Sequence, residues 1–176
     1  MGISLKRLTE DELGLMMNWR MREDINAMMF SSVHLTMDGQ KKWFASIKDS
    51  DKEMRWIVWN DDKPIGSIYL VDIDRQNERC ESGWFLAEKK DLDLLTVMAL
   101  QQNIYDYAFD ILGLNRIYAY VIDDNRNIIR LLELCGMDRE GYLRQHILKD
   151  GRYHDVYVVG LTKDMWEKKR ENVKYE

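Results

Sequence analysis

Proline is nearly absent from this chain. Pro64 is the only one among 176 residues, and there are ten glycines. That excludes a proline-rich spacer or a glycine-rich tether, and no stretch reads as a linker between two domains. Cysteine is equally scarce. Cys80 and Cys135 belong to no CxxC pair, so both read as reduced, buried side chains rather than a disulfide framework. His34, His146 and His154 are scattered, with no HExxH and no histidine–cysteine cluster, so no metal is expected. Neither a GxSxG elbow nor a GxxxxGK[ST] loop occurs, which leaves covalent serine chemistry and P-loop chemistry without support. No run approaches 18 consecutive apolar residues, and the first residues turn polar at once, without a signal stretch. The expectation is a cytoplasmic protein with no membrane partner. Basic residues are not in excess: 26 Lys and Arg stand against 31 Asp and Glu, for a net charge of -5. Binding to nucleic acid, which draws on phosphate neutralisation, is therefore not expected.

What is present is the composition of one globular domain, 45% hydrophobic and 32% charged. Residues 3–8 alternate apolar and charged side chains, as a half-buried strand does. Thr9 and Glu12 form a capping box that opens a helix to about residue 22. A short helix over 23–30 and a loop over 31–35 follow. Thr36 and Asp38 both offer N-caps for a helix to about residue 48. Residues 55–59, 64–73 and 79–86 read as a meander of three strands joined by polar turns, with Pro64 tolerated at a strand start. The period then changes. Leu92, Leu95, Met98, Ala99, Gln102, Tyr105, Phe109 and Leu112 recur at helical spacing, which predicts one long helix over about 91–112, ended by Gly113. A strand over 116–122, a helix over 128–134, a strand-like stretch with a break over 137–148 and a strand over 153–161 complete the pattern. The strand–helix–strand order implies at least one parallel crossover. The fold class expected is α/β (α+β): a mixed, mostly antiparallel central sheet of about seven strands with helices on both faces. A single domain is expected over 1–164, followed by a charged, solvated tail over 165–176. Open sheet edges leave a homodimer open.

Several segments carry a resemblance: WRMREDINAMMF over 19–30, KKWF over 41–44, YAFDILGLNRI over 107–117, and GLNRIYAYVIDDNRNIIRLLELCGM over 113–137. Together they resemble the GNAT superfamily of N-acetyltransferases over about residues 3–162. They are most similar to the branch holding ribosomal-protein N-terminal acetyltransferases and the nucleotide-amino-sugar N-acetyltransferase of pseudaminic acid synthesis. Asn18-Trp19-Arg20 leans toward the amino-sugar group. The resemblance implies acetyl-CoA as the cofactor and a small-molecule amine, nucleotide-linked in the finer reading, as the acceptor. It implies direct attack of the amine on the thioester at a splayed point between strands 79–86 and 116–122, with backbone amides polarising the oxyanion. Two other readings fit the same resemblance. One is a catalytically degenerate GNAT-like binding domain, and the other is a protein N-terminal acetyltransferase.

The resemblance also places the site residues. Glu81, on the central strand, is the first choice for the general base, against a solvent-facing or ion-paired role. Tyr118 is the candidate acid for the leaving thiolate, with Tyr120 and Tyr105 as substitutes, because the usual tyrosine position falls on Leu132. Phe85, Leu86, Lys89, Lys90, Leu94, Leu95, Thr96, Val97 and Asn125 are the candidate CoA residues, although Asn125 also reads as a plain helix cap. Trp19, Arg20, Phe30, Tyr142 and His146 are the candidate acceptor residues, and Arg20 suits a nucleotide phosphate or a carboxylate. Arg139, Arg144 and Arg152 are further phosphate candidates or plain surface residues. The family's pyrophosphate motif should fall on Leu92-Asp93-Leu94-Leu95-Thr96-Val97, and its glycine positions are filled here by Asp93, Leu95 and Val97.

Overall fold

The computed structural model describes residues 2–173. Strand β1 (Ile3–Arg7) is followed by a 3₁₀ turn, Glu10–Glu12, and helix α1 (Leu13–Arg20). The capping box forms as expected, with the Thr9 N–H and hydroxyl both donating to the Glu12 carboxylate, at 3.0 and 2.6 Å. Helix α2 is Glu23–Ala27 and α3 is Met37–Ile47, the latter capped by Thr36 Oγ1, which accepts from Gly39 N–H at 3.2 Å. The meander is β2 (Met54–Asn60), β3 (Lys63–Asp74) and β4 (Arg79–Leu86). Then come α4 (Leu94–Asp106), β5 (Arg116–Ile122), α5 (Arg126–Leu134), β6 (Asp138–Lys149), β7 (Arg152–Thr162) and α6 (Lys163–Val173).

The seven strands form one sheet in the order β1-β2-β3-β4-β5-β7-β6. Every neighbouring pair is antiparallel except β4–β5, which α4 joins as a parallel crossover. Strand alternation sends side chains to two separate cores. On one face Val58, Ile68, Leu70, Ile117 and Val159 pack under α4 and α5. On the other, Ile57 and Phe85 pack under Leu13, Met16, Trp19 and Ile25 of α1 and α2. The fold class is as expected, with helices on both faces.

Three expectations are corrected. The long helix does not begin at residue 91: Lys89–Asp91 is a 3₁₀ turn, Asp93 caps α4, and the chain passes into a single π turn at Tyr107–Ile111 before Gly113. Helix α2 stops at Ala27 rather than 30, because Lys149 Nζ donates to the carbonyls of Asn26, Ala27 and Met29 at 2.5, 3.1 and 2.8 Å and closes its C-terminal end. The stretch from 165 is not a solvated tail up to 173. It lies in α6, whose Trp166 is buried edge-on against Tyr105 and donates its indole N–H to Asp106 at 3.0 Å. Arg170 pairs with Asp106 and Asp110, and Lys169 Nζ donates to the Leu134 carbonyl at 2.7 Å, so charged and apolar contacts dock the helix together. Residues 174–176 of that stretch lie outside the described residues.

Among the described residues no helix is long and apolar enough to cross a membrane, and no group of His, Cys, Asp and Glu is placed to hold a metal ion. Burial pushes the Cys80 thiol up to about 12 and the Cys135 thiol up to about 11, so neither supplies a thiolate nucleophile near neutral pH.

Candidate active site

Strands β4 and β5 pair over only three rungs, Arg79↔Arg116, Cys80↔Ile117 and Glu81↔Tyr118, and then separate. β4 keeps its ladder to β3 as far as Leu86, and β5 keeps its ladder to β7 as far as Ile122. Each strand therefore turns one edge of backbone donors and acceptors toward the gap. The next link across it is a side chain: Ser82 Oγ–H reaches the Tyr118 carbonyl at 3.5 Å. Beyond that contact lies a cavity of about 210 Å³, walled by Gly83–Leu86 of β4, 119–122 of β5 and Asn125.

A second cavity, of about 410 Å³, opens beside the first. The two share five residues: Arg20, Met29, Tyr69, Glu81 and Phe85. Glu81 thus sits at the last paired rung and on the wall between both spaces. Burial, reinforced by the nearby Asp72 charge, raises its carboxyl above the usual carboxylate range. Tyr69 reaches the same wall from β3 by crossing over Gly83, its register partner: a Cβ on Gly83 would sit 2.1 Å from the Tyr69 hydroxyl. Burial raises the Tyr69 phenol. The second cavity is polar at several points, taking in Arg55 and Gln40. Gln40 is 7% exposed and its side-chain amide makes no hydrogen bond among the described residues.

The structure brings together Glu81, Arg20, Phe30, Phe85, Leu86 and Asn125. Asn125 stands at the N-cap position of α5, yet its side chain makes no capping bond and lines the first cavity instead. Tyr118 is adjacent to Glu81 across the rung, and burial raises its phenol, but it does not line the cavity. Tyr120, two residues further along the same face, does. Tyr105 is wholly buried beside Trp166 and is removed as a candidate acid.

On the acceptor side, Trp19 is corrected to a core residue. It continues the Leu13–Met16 face of α1 and meets Phe85 edge-on at 6.1 Å. Tyr142 is corrected too: its hydroxyl donates to Asp155 at 2.6 Å and lies 3.2 Å from Asp123, on β6 away from both cavities. His146 is exposed and stacks on Tyr120, so it approaches the site only through that ring. Sequence reasoning missed Tyr69, Gly83, Gln40 and Arg55. Gly83 inside a strand was the available signal for a close approach, but nothing in the order of residues said that the approaching group was Tyr69.

The candidate phosphate end differs from the expected cradle. Lys89 and Lys90 are exposed in the 3₁₀ turn, Leu95 is 78% exposed, Leu94 is also exposed, and Thr96 and Val97 are buried. The anion site at the start of α4 is filled by the chain's own carboxylate. Asp93 accepts from Thr96 N–H at 3.0 Å and from Thr96 Oγ–H at 2.6 Å. These bonds hold its carboxyl below the usual range, the Thr96 hydroxyl contributing most. A pyrophosphate seated on the same amides would meet that negative charge, so the residues fit an acyl-pantetheine arm between the splayed strands and do not fit a diphosphate on the first turn of α4.

The parallel strand pair thus parts at a half-buried glutamate, between two adjoining cavities. A family model described as an acetyltransferase (GNAT) domain matches residues 3–138, and the chain belongs to the GNAT family of acetyltransferases. Among curated relatives it is similar to a spermidine N(1)-acetyltransferase of Vibrio cholerae, 25% identical over 155 residues, covering 88% of this chain and 89% of the relative. It is also similar to the acetyltransferase PseH of Campylobacter jejuni, 30% identical over 134 residues, covering 74% and 82%. Among solved structures, the V. cholerae spermidine N-acetyltransferase in complex with CoA and spermine superposes with a TM-score of 0.87 at 23% identity, covering 94% of this chain and 98% of that one.

Proposed function

We propose that this acetyltransferase moves an acetyl group from acetyl-CoA to the primary amine of a small molecule by direct attack, with the donor in the splay cavity and the acceptor in the adjoining one. The observation that carries this reading is the position of Glu81, a carboxylate of raised pKa on the wall common to both cavities. Acetyl-CoA supplies the activated acetyl thioester. Everything else is work for the chain. An amine arrives largely as its ammonium, which cannot attack. Glu81 takes one proton from it, and its raised pKa makes it a better acceptor at neutral pH than an ordinary carboxylate. Backbone N–H groups on the free edge of β4 stand ready for the negative charge that develops on the carbonyl oxygen. The C–N bond forms as the C–S bond breaks, Tyr120 of the cavity wall protonates the departing sulfur, and the second proton, lost from the new amide nitrogen, restores the phenol.

For the acceptor, the resemblance of Asn18-Trp19-Arg20 to the amino-sugar group supports a nucleotide-linked amino sugar over a peptide N-terminus. The test is thiol release from acetyl-CoA with Glu81→Gln. The expected loss in kcat is about 100-fold or more, with little change in the KM for acetyl-CoA. A kcat within threefold of wild type across pH 6–9 removes Glu81 as the base.

A further inference from the structure

The acceptor cavity carries more cationic hydrogen-bonding capacity than an amine substrate needs. Arg20, at the end of α1, opens on both cavities, and its guanidinium makes no hydrogen bond or ion pair among the described residues. Its Nη1 is sealed from solvent with no partner among the described residues. An arginine fork offers five donors and stays charged, so leaving it unpaired and partly buried is costly unless a ligand completes it. Burial lowers its pKa, and the neighbouring Arg55 adds to that. Arg55 is itself matched to Glu53 at 2.6 Å and lies over the rings of Trp43 and Tyr69. Glu81, the other charge on this wall, is separately needed as the proton acceptor. Gln40 lines the same space, and its side-chain amide makes no hydrogen bond among the described residues.

From this we infer that the acceptor is an amine that also bears an oxyanion, a phosphate or a carboxylate, which Arg20 recognises through the wall shared with Glu81, and that Gln40 takes a neutral polar group such as a hydroxyl of the same molecule. The inference rests on the proposed acetyl transfer for its choice of amines, and it narrows the acceptor by charge. One molecule must bring a cation to Glu81 and an anion to Arg20. A polyamine fails this requirement, since a second ammonium near Arg20 and Arg55 is repelled and leaves the guanidinium unsatisfied. A neutral amino sugar satisfies Glu81 and leaves Arg20 empty.

The experiment is calorimetric titration of the full chain with four probes: glucosamine, glucosamine 6-phosphate, 2-amino-2-deoxygluconate and spermidine. At least one oxyanion-bearing probe is expected to bind about 10- to 100-fold more tightly than glucosamine, the range of a charge-assisted hydrogen-bond pair. The tighter of the two oxyanion probes tells phosphate from carboxylate. In Arg20→Met the ratio of oxyanion probe to glucosamine should collapse to within about threefold, and Arg20→Lys should keep part of it because the point charge survives. Equal binding of glucosamine and both oxyanion probes, tightest binding of spermidine, no binding of either oxyanion probe at millimolar concentration, or a ratio unmoved in Arg20→Met each overturns the inference. Should Arg20→Met fail to fold, the wild-type panel and Arg20→Lys decide the same point. Thiol release from acetyl-CoA is measured separately. Charge-selective binding without turnover retains this inference and defeats the proposed transfer, whereas turnover without charge selectivity does the reverse.

Discussion

Lys149→Met removes one ammonium from a place where three carbonyl oxygens converge. Lys149 is 7% exposed, at the end of β6, and its Nζ donates to Asn26, Ala27 and Met29. Ser32 Oγ–H donates to the neighbouring Asp150 at 2.8 and 2.9 Å, so the tip of the β6–β7 hairpin grips residues 26–32. That segment delivers Met29 and Phe30 to the cavity walls. Methionine keeps the apolar stem and approximate length, so packing changes little, but the Ala27 and Met29 carbonyls lose the ammonium and the Asn26 carbonyl keeps the Met29 N–H. A hydrogen bond to a charged group is worth about 1.5–3 kcal/mol. Three bonds that share one charge do not add, and the cost of burying the ammonium disappears with it, so a net loss of about 3 kcal/mol is expected. For a chain of this length that lowers the Tm by about 6–12 °C. Thermal unfolding followed by circular dichroism measures the total, and hydrogen exchange read by mass spectrometry should show faster exchange concentrated in 26–32. A Tm within about 2 °C of wild type with unchanged exchange in that segment would refute the reasoning.

Asp93→Gly frees the first-turn amides of α4 and removes a negative charge. The Kd for acetyl-CoA should fall about 5- to 10-fold, with a stability loss of only a few tenths of a kcal/mol. An unchanged Kd would show that the donor's phosphates do not approach that helix start. Gly83→Ala forces the Tyr69 ring off its seat, since the new Cβ falls 2.1 Å from its hydroxyl. The amine KM should rise about tenfold or more while the Tm falls by only a few degrees, and an unaltered KM would remove Tyr69 from the acceptor wall. Glu81→Gln should gain stability as it loses activity. A carboxyl whose pKa is raised in the fold opposes folding once the pH exceeds its unfolded pKa, about 4.3. The Tm advantage of Glu81→Gln should therefore be full above the raised folded-state pKa and vanish below about pH 4. A constant offset at all pH values would contradict the assignment.

The sequence by itself determined most of the elements and the pairing within the β2–β4 meander. Alternation over β1 to β4 and β7, the Thr9–Glu12 box, Thr36 at the start of α3 and Gly113 after α4 are local signals, carried by neighbours a few residues apart. Glu81, Phe85 and Leu86 are legible through the family resemblance rather than from a local pattern, and they line one cavity.

Only the tertiary structure decided what meets them. Trp19 shares the apolar spacing of α1 and belongs to the core, while Arg20, one residue on, points to the cavities. Tyr118 and Tyr120 share one strand face, and the divergence of β4 from β5 after the third rung, at Tyr118, selects Tyr120. Lys149 closes α2 from more than 100 residues away. The charged segment from 165 docks through Trp166 and the Arg170 pairs to Asp106 and Asp110, which composition could not reveal. Position along a strand follows from period. The identity of the group across a cavity depends on contacts that no local pattern encodes.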